Sequence, residues 1–243
     1  FTLLAKLDHP AGADENDITI NLGSVIRATD SDGDTVTAAA DGLVITVDDD
    51  TPVTGTISLV ADEDNLPRGN NDTASGDAAQ SNLTGTLPVN FGADGAGSID
   101  FQGMHGLSAV IGNDNITYNW NASTNTLTAY RTGGALGVND VFKIVVNPTT
   151  GQYTFTLLAA INHHTVADNT EGLVDPFVNL NYRVIDGDGD IAIGTLKVTI
   201  DDDMPKAFTP EEGFVTNQAG IVRTFKLDFD GNIDDNVGAD QLG

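Results

Sequence analysis

The sequence predicts an all-β protein: an immunoglobulin-like, Greek-key β-sandwich arranged as tandem modules. Three observations carry this. Short runs rich in β-branched and aromatic residues recur along the chain, Gly, Asn, Asp and Pro punctuate them, and long stretches of the sequence repeat.

The strands read off in order as ITYNWNA, NTLTAYRT, VFKIVVN, GQYTFTLL, VNLNYRVID and GTLKVTIDDD, several of them alternating apolar with polar residues. No longer segment has a 3.6-residue apolar period, so no helix beyond a turn or two is expected. The 27 glycines, with Asn-Thr and Asp-Gly pairs, supply the turns. The stretch from Asp62 to Ser81 has little apolar content and reads as a long loop with a functional role.

The repeat fixes the modular organisation. FTLLAKLDHP (Phe1 to Pro10) returns as FTLLAAINHH (Phe155 to His164), Asp30-Ser-Asp-Gly-Asp34 as Asp186-Gly-Asp-Gly-Asp190, and VDDDTP (Val47 to Pro52) as IDDDMP (Ile200 to Pro205). NFGADGAG (Asn90 to Gly97) has a weaker echo in NVGADQLG (Asn236 to Gly243). Residues 1–52 are then the C-terminal part of one copy, 53–205 a complete copy and 206–243 the N-terminal part of a third. The flanks are expected to complement each other or to pair across chains, and a chain starting at Phe1 without Met reads as an excised or mature segment.

Composition narrows the function. With 40% hydrophobic residues the chain can bury a core, and 36 acidic against 10 basic residues, a net charge of -26, makes nucleic acid an unfavourable partner. Five of the 36 acids are glutamates, which leaves 31 aspartates, the acid suited to turns and to short-loop coordination of hard cations. General solubilising charge is the competing explanation. The absence of cysteine excludes disulfides, thiolate metal sites and a cysteine nucleophile. No apolar run is long enough to insert this segment into a membrane as a helix.

The aspartates gather at two places in each copy. Asp186, Asp188 and Asp190 sit at a hairpin tip with glycines between them, so the backbone can curl and converge the carboxylates on a cation that takes six to eight oxygens; Asp30, Asp32 and Asp34 are the counterparts in the first copy. The alternative is a merely hydrophilic hairpin turn. The run lacks the closing Glu and the helices of an EF-hand, and it is not a GGxGxDxUx nonapeptide. The second place is the repeat boundary, where Asp48, Asp49 and Asp50, and again Asp201, Asp202 and Asp203, end a strand just before a proline. The following copy offers Asp62, Glu63 and Asp64, so Ca2+ clamped between Asp48–Asp50 and the loop around Glu63 would stiffen the joint; Glu211 and Glu212 are the weaker candidates after Pro205.

Other candidates favour bland readings. Trp120, near Tyr130, is expected in the sandwich core, with stacking on a sugar as the alternative. His163 and His164 follow the repeated strand, but the first copy has Pro10 at the position of His164, so no metal or catalytic role is assigned to them; His105 reads as a surface turn residue. Paired carboxylates could serve a glycosidase, yet here they recur along the chain, and no nucleophile elbow, P-loop or HExxH helix is present. The sequons at Asn82 and Asn121 are assigned no role.

The DGDGD hairpin, the V/I-DDD-X-P terminus, the EDxLPxGN-like loop (Glu63 to Asn70) and the NFGADG segment together resemble the repeats of giant bacterial RTX adhesins, exported by type I secretion. The resemblance spans the chain and is specific at those four motifs. It implies an extracellular, cell-surface, non-enzymatic, calcium-stabilised sandwich that extends the adhesin for attachment and biofilm formation, with neighbouring repeats of the same polypeptide as its partners. The alternative it leaves open is a module, split or whole, that binds a glycan or host-surface ligand.

Overall fold

The computed structural model describes residues 1–7, 9–10, 16–67, 69, 81–163, 175–203, 213–224 and 239. In the N-terminal flank, β1 (Ile18–Asn21) pairs antiparallel with β4 (Val44–Val47), and the hairpin β2 (Arg27–Thr29) with β3 (Thr35–Thr37) lies between them in sequence. These strands are short and largely exposed, Val36 and Val44 among them.

The complete copy is built on longer alternating strands. After β5 (Val53–Thr54) come β6 (Thr56–Asp62), β7 (Asn82–Thr86), β8 (Val89–Asn90), β9 (Ala96–Asp100), β10 (Ser108–Ile111), β11 (Asp114–Asn121), β12 (Thr126–Arg131), β13 (Asp140–Val146), β14 (Gln152–Leu157), β15 (Phe177–Asp186) and β16 (Ile191–Asp201). Each of the six strand runs read from the sequence is a strand here, and the only helical pieces among the described residues are two 3-10 turns, 23–25 and 102–104.

Two sheets face each other. One is β10-β11-β12-β13-β14-β7, the other β6-β16-β15-β9, and β5 pairs separately with β8. The pairing of β7 with β14 and of β9 with β15, strands far apart in sequence, gives the crossed connections of an immunoglobulin-like sandwich. Along β15, Val178, Leu180, Tyr182 and Val184 point inward, and along β16, Leu196, Val198 and Ile200. They meet Ile116, Tyr118 and Trp120 of β11, Phe142 and Ile144 of β13 and Phe155 of β14 in one core. Phe101 sits in the middle, tilted against Trp120 at 6.3 Å and edge-on to Tyr182 at 6.2 Å between ring centroids. The Tyr182 hydroxyl is satisfied within the fold, close to the carbonyl oxygens of Gly55 and Pro88 at 3.0 Å each.

Two features of this register place the acidic clusters. The inward period of β15 runs straight on to Asp186, which is 2% exposed, so a carboxylate closes the row of core side chains. Among the described residues all strand pairs are antiparallel except β16 with β6, whose parallel register sets Asp201 beside Asp62 at one end of the module. At about 3.3 Å per residue the 11 residues of β16 separate that end from the β15–β16 hairpin by about 35 Å.

Leu180→Ala, which empties a fully buried site on β15, is expected to lower stability by about 2–5 kcal/mol in urea unfolding. Val110→Ala, on an exposed position, should stay within about 0.5 kcal/mol.

Candidate metal centres at the two ends of the module

The β15–β16 hairpin is held by its own aspartate. Asp186 Oδ1 accepts the amides of Gly189 (3.0 Å) and Asp190 (2.8 Å), and the Asp186 amide donates to the Asp190 carbonyl (3.1 Å). Gly189 has φ +116°, a conformation that glycine adopts without strain. The remaining oxygen of Asp186 and both oxygens of Asp188 are buried and make no hydrogen bond. One oxygen from each of Asp186, Asp188 and Asp190 lies within 4.8 Å of the others. Buried carboxylate oxygens facing one another without donors are costly unless a cation or a proton joins them.

The first copy builds the same turn on the surface. The Asp30 amide donates to the Asp34 carbonyl at 3.0 Å and the Asp34 amide to Asp30 Oδ1 at 2.9 Å, with Gly33 at φ +101°. Here Asp30, Asp32 and Asp34 are exposed, though they too form a group of metal-ligating size. Hydrogen bonds, the largest from Asp32, hold the Asp30 carboxyl below its usual range.

The second hairpin is covered because other segments dock on it. The loop before β9 brings in Asp94, and the N-terminal flank brings in His9 and Asp49; with Asp188 these form a second group whose ligand atoms fall within 4.8 Å. His9 Nδ1 lies 3.1 Å from Asp49 Oδ1. Asp50 Oδ2 accepts the Ala93 amide at 2.5 Å, and Lys6 Nζ donates to the Asp94 carbonyl at 2.8 Å. Glycine permits the approach: a Cβ on Gly187 would stand 2.3 Å from the Asp94 carbonyl oxygen, and one on Gly97 would stand 2.0 Å from that of Asp186.

At the opposite end the Glu63 amide donates to the Asp201 carbonyl at 3.3 Å, while Glu63 Oε1 accepts the Ile161 amide at 2.8 Å. His163 Nε2 is 3.3 Å from Glu63 Oε1 and 3.8 Å from Asp202 Oδ1. Asp62, Glu63 and Asp64 are all buried, and Asp203 Oδ2 accepts the Ala239 amide at 2.6 Å. That bond repeats the one between Asp50 and Ala93, since Asp203 and Ala239 occupy the matching places of the VDDDTP/IDDDMP and NFGADG/NVGADQ segments. Each flank therefore docks on an end of the complete copy through the same contact.

These positions revise the expected clamp. Asp49 and Asp50 meet the Asp94 loop and the DGDGD hairpin, whereas Asp62, Glu63 and Asp64 belong with Asp201–Asp203 of their own copy, because the parallel β6–β16 pair carries both to the same end. Asp62 is thus the last residue of a strand, and Asp64 begins the turn that follows. Asp48 points outward beside Asp17, whose hydrogen bond and charge push its carboxyl up. His163 matches His9 of the first copy, a correspondence visible in FTLLAKLDHP and FTLLAAINHH, and both rings reach the acidic ends. Asp94 was legible only as part of a repeated segment. Trp120 lies in the core as expected, and His105, exposed, accepts the Trp120 amide on Nδ1 at 3.0 Å. Glu211, Glu212, His164 and residues 70–80 of the long loop lie outside the described residues.

A protein-family model described as a domain of unknown function (DUF5801) matches residues 58–199. No curated protein and no solved structure matches the chain.

Burial raises the carboxyl pKa of Asp94, with Asp188 and Asp49 adding repulsion, and burial followed by the adjoining Asp188 carboxyl raises that of Asp186. Their contribution to stability is full below the unfolded carboxyl pKa near 4 and is lost as pH rises through the elevated folded values. Thermal melts of chelator-stripped protein should therefore give a higher midpoint near pH 5 than at pH 7. Gly187→Ala, which forces the hairpin away from the Asp94 loop, is expected to cost about 1–3 kcal/mol by the same assay.

Proposed function

The chain belongs to that family, whose match covers more than half of it, and we propose that it is a calcium-stabilised extender module of a bacterial surface adhesin. Its work is mechanical: it keeps consecutive sandwiches in register and holds more distal ligand-binding regions away from the cell. The observation that carries the reading is the set of buried, donor-less oxygens on Asp186 and Asp188 at the point where the preceding copy docks.

The residues present fit calcium. Asp186, Asp188 and Asp190 would hold it at the hairpin, the backbone turn being already closed by Asp186 Oδ1. The acidic ends Asp49–Asp50 and Asp201–Asp203 supply further oxygens. Calcium bound there would contribute positive charge and accept six to eight oxygens from these carboxylates, backbone carbonyls and water. The protein contributes the geometry: Gly187 and Gly97 let two loops touch, and Asp50 takes an amide of the next copy so that the joint cannot slide.

The same chemistry couples folding to location. A chain of net charge -26 with carboxylates converging at its ends is poorly stable where calcium is scarce and gains stability where calcium is abundant, as outside the cell. The motif resemblance to RTX adhesin repeats agrees with export and surface display. Neighbouring repeats are the partners this reading needs, and it assigns no catalytic residue.

Excess calcium should raise the melting midpoint over that in EDTA, by an amount equivalent to about 2.7 kcal/mol at a hundredfold excess over Kd; an unchanged midpoint would sink the reading. Asp186→Asn keeps an acceptor for the Gly189 and Asp190 amides while removing the charge. It is expected to melt higher than the parent in EDTA and to gain much less from calcium.

A further inference from the structure

The corner where the N-terminal flank meets the complete copy differs in chemistry from the hairpin site beside it. Its donors are three carboxylates, Asp49, Asp94 and Asp188, and one imidazole, His9. The His9 side chain is 5% exposed and that of Asp49 1%. Both ring nitrogens of His9 are buried and lack a hydrogen bond of sound geometry, although the ring is aimed into the cluster. A histidine that only filled space at an acidic joint would be expected to donate a proper hydrogen bond to a carboxylate. We propose that this corner is a separate site for a zinc-class divalent transition ion, bound by His9, Asp49, Asp94 and Asp188.

Donor type and number point the same way. Calcium takes six to eight oxygens and has little use for an imidazole, whereas zinc accepts nitrogen and carboxylate oxygen together, commonly four in number, at about 2.0–2.2 Å. The four donor atoms already lie within 4.8 Å of one another, and zinc binding requires the side chains to rotate them closer. Asp188 belongs to both groups, and its two hydrogen-bond-free oxygens let it bridge the zinc-class ion and the calcium at the hairpin. The two ions would lock the flank and the module to one shared carboxylate.

The repeat gives independent support. His163, nine residues into the second FTLLA segment as His9 is into the first, meets Glu63 and Asp202, and Asp202 is the counterpart of Asp49. An imidazole and at least two carboxylates thus come together at both ends of the complete copy. Two of the chain's four histidines thus stand at the two joints.

The inference rests on the metal-bridged joint but not on calcium being its metal, so the two can fail separately. The test uses the full chain, stripped with chelator and then saturated with calcium, with Co2+ as a coloured stand-in for zinc. Visible d–d bands above those of the aqueous ion should appear, be displaced by Zn2+, and fall severalfold in the His9→Ala variant. In the unaltered protein, 15N spectra of the four imidazoles should show zinc shifting His9 and His163 and leaving His105 in place, a readout independent of how well the variant folds. Absence of cobalt bands in calcium-saturated protein, or zinc shifts that leave His9 in place, would overturn the proposal. Cobalt bands without a calcium effect on melting would uphold it while removing the calcium reading.

Discussion

Mutual repulsion among carboxylates that the fold forces together governs this structure. The sandwich core ends in acids at both of its poles: β15 delivers Asp186 on the same face as Tyr182 and Val184, and β6 and β16 deliver Asp62 and Asp201 side by side. Two unit charges 4 Å apart interact by about 4 kcal/mol at an effective dielectric of 20, and several such pairs converge at each end. An all-β domain has ample apolar material to fold, yet its ends cannot be at their best until that charge is balanced.

The consequence is a division of labour along the strands. The middle of the module is held by Phe101, Tyr182, Phe142 and their neighbours, contacts indifferent to ions. The ends hold the connection to the next copy. A chain with no cysteine cannot staple its modules by disulfides, and a flexible linker would leave them free to swing. Asp50 with Ala93 and Asp203 with Ala239 instead join copies through one short hydrogen bond set within an acidic cluster, and in the proposed function rigidity at the joint follows the ionic surroundings.

Much of this was legible in the sequence. Period-2 alternation gave the strands, because on a half-buried sheet every second side chain must be apolar, and the ordered return of FTLLA, the Asp hairpin and DDDxP gave the module. Strand order was not legible: nothing in the alternation of β6 says that it runs parallel to β16, and that one pairing decides which acids share an end. Asp62–Asp64 were therefore paired with Asp48–Asp50 when they belong with Asp201–Asp203. His9 and His163 carried a readable signal, their common place in the repeated segment, which comparison of His164 with Pro10 obscured. Asp94 gave no signal of its own, since only the fold brings the loop before β9 onto the hairpin.

The account depends on an ion at the β15–β16 hairpin, and a high-resolution crystal structure of the calcium-loaded protein addresses it most directly. Spherical density between Asp186, Asp188 and Asp190, with oxygen ligands at about 2.3–2.6 Å, is the expected result. A map in which those carboxylates meet only water or one another, at saturating calcium, would contradict it.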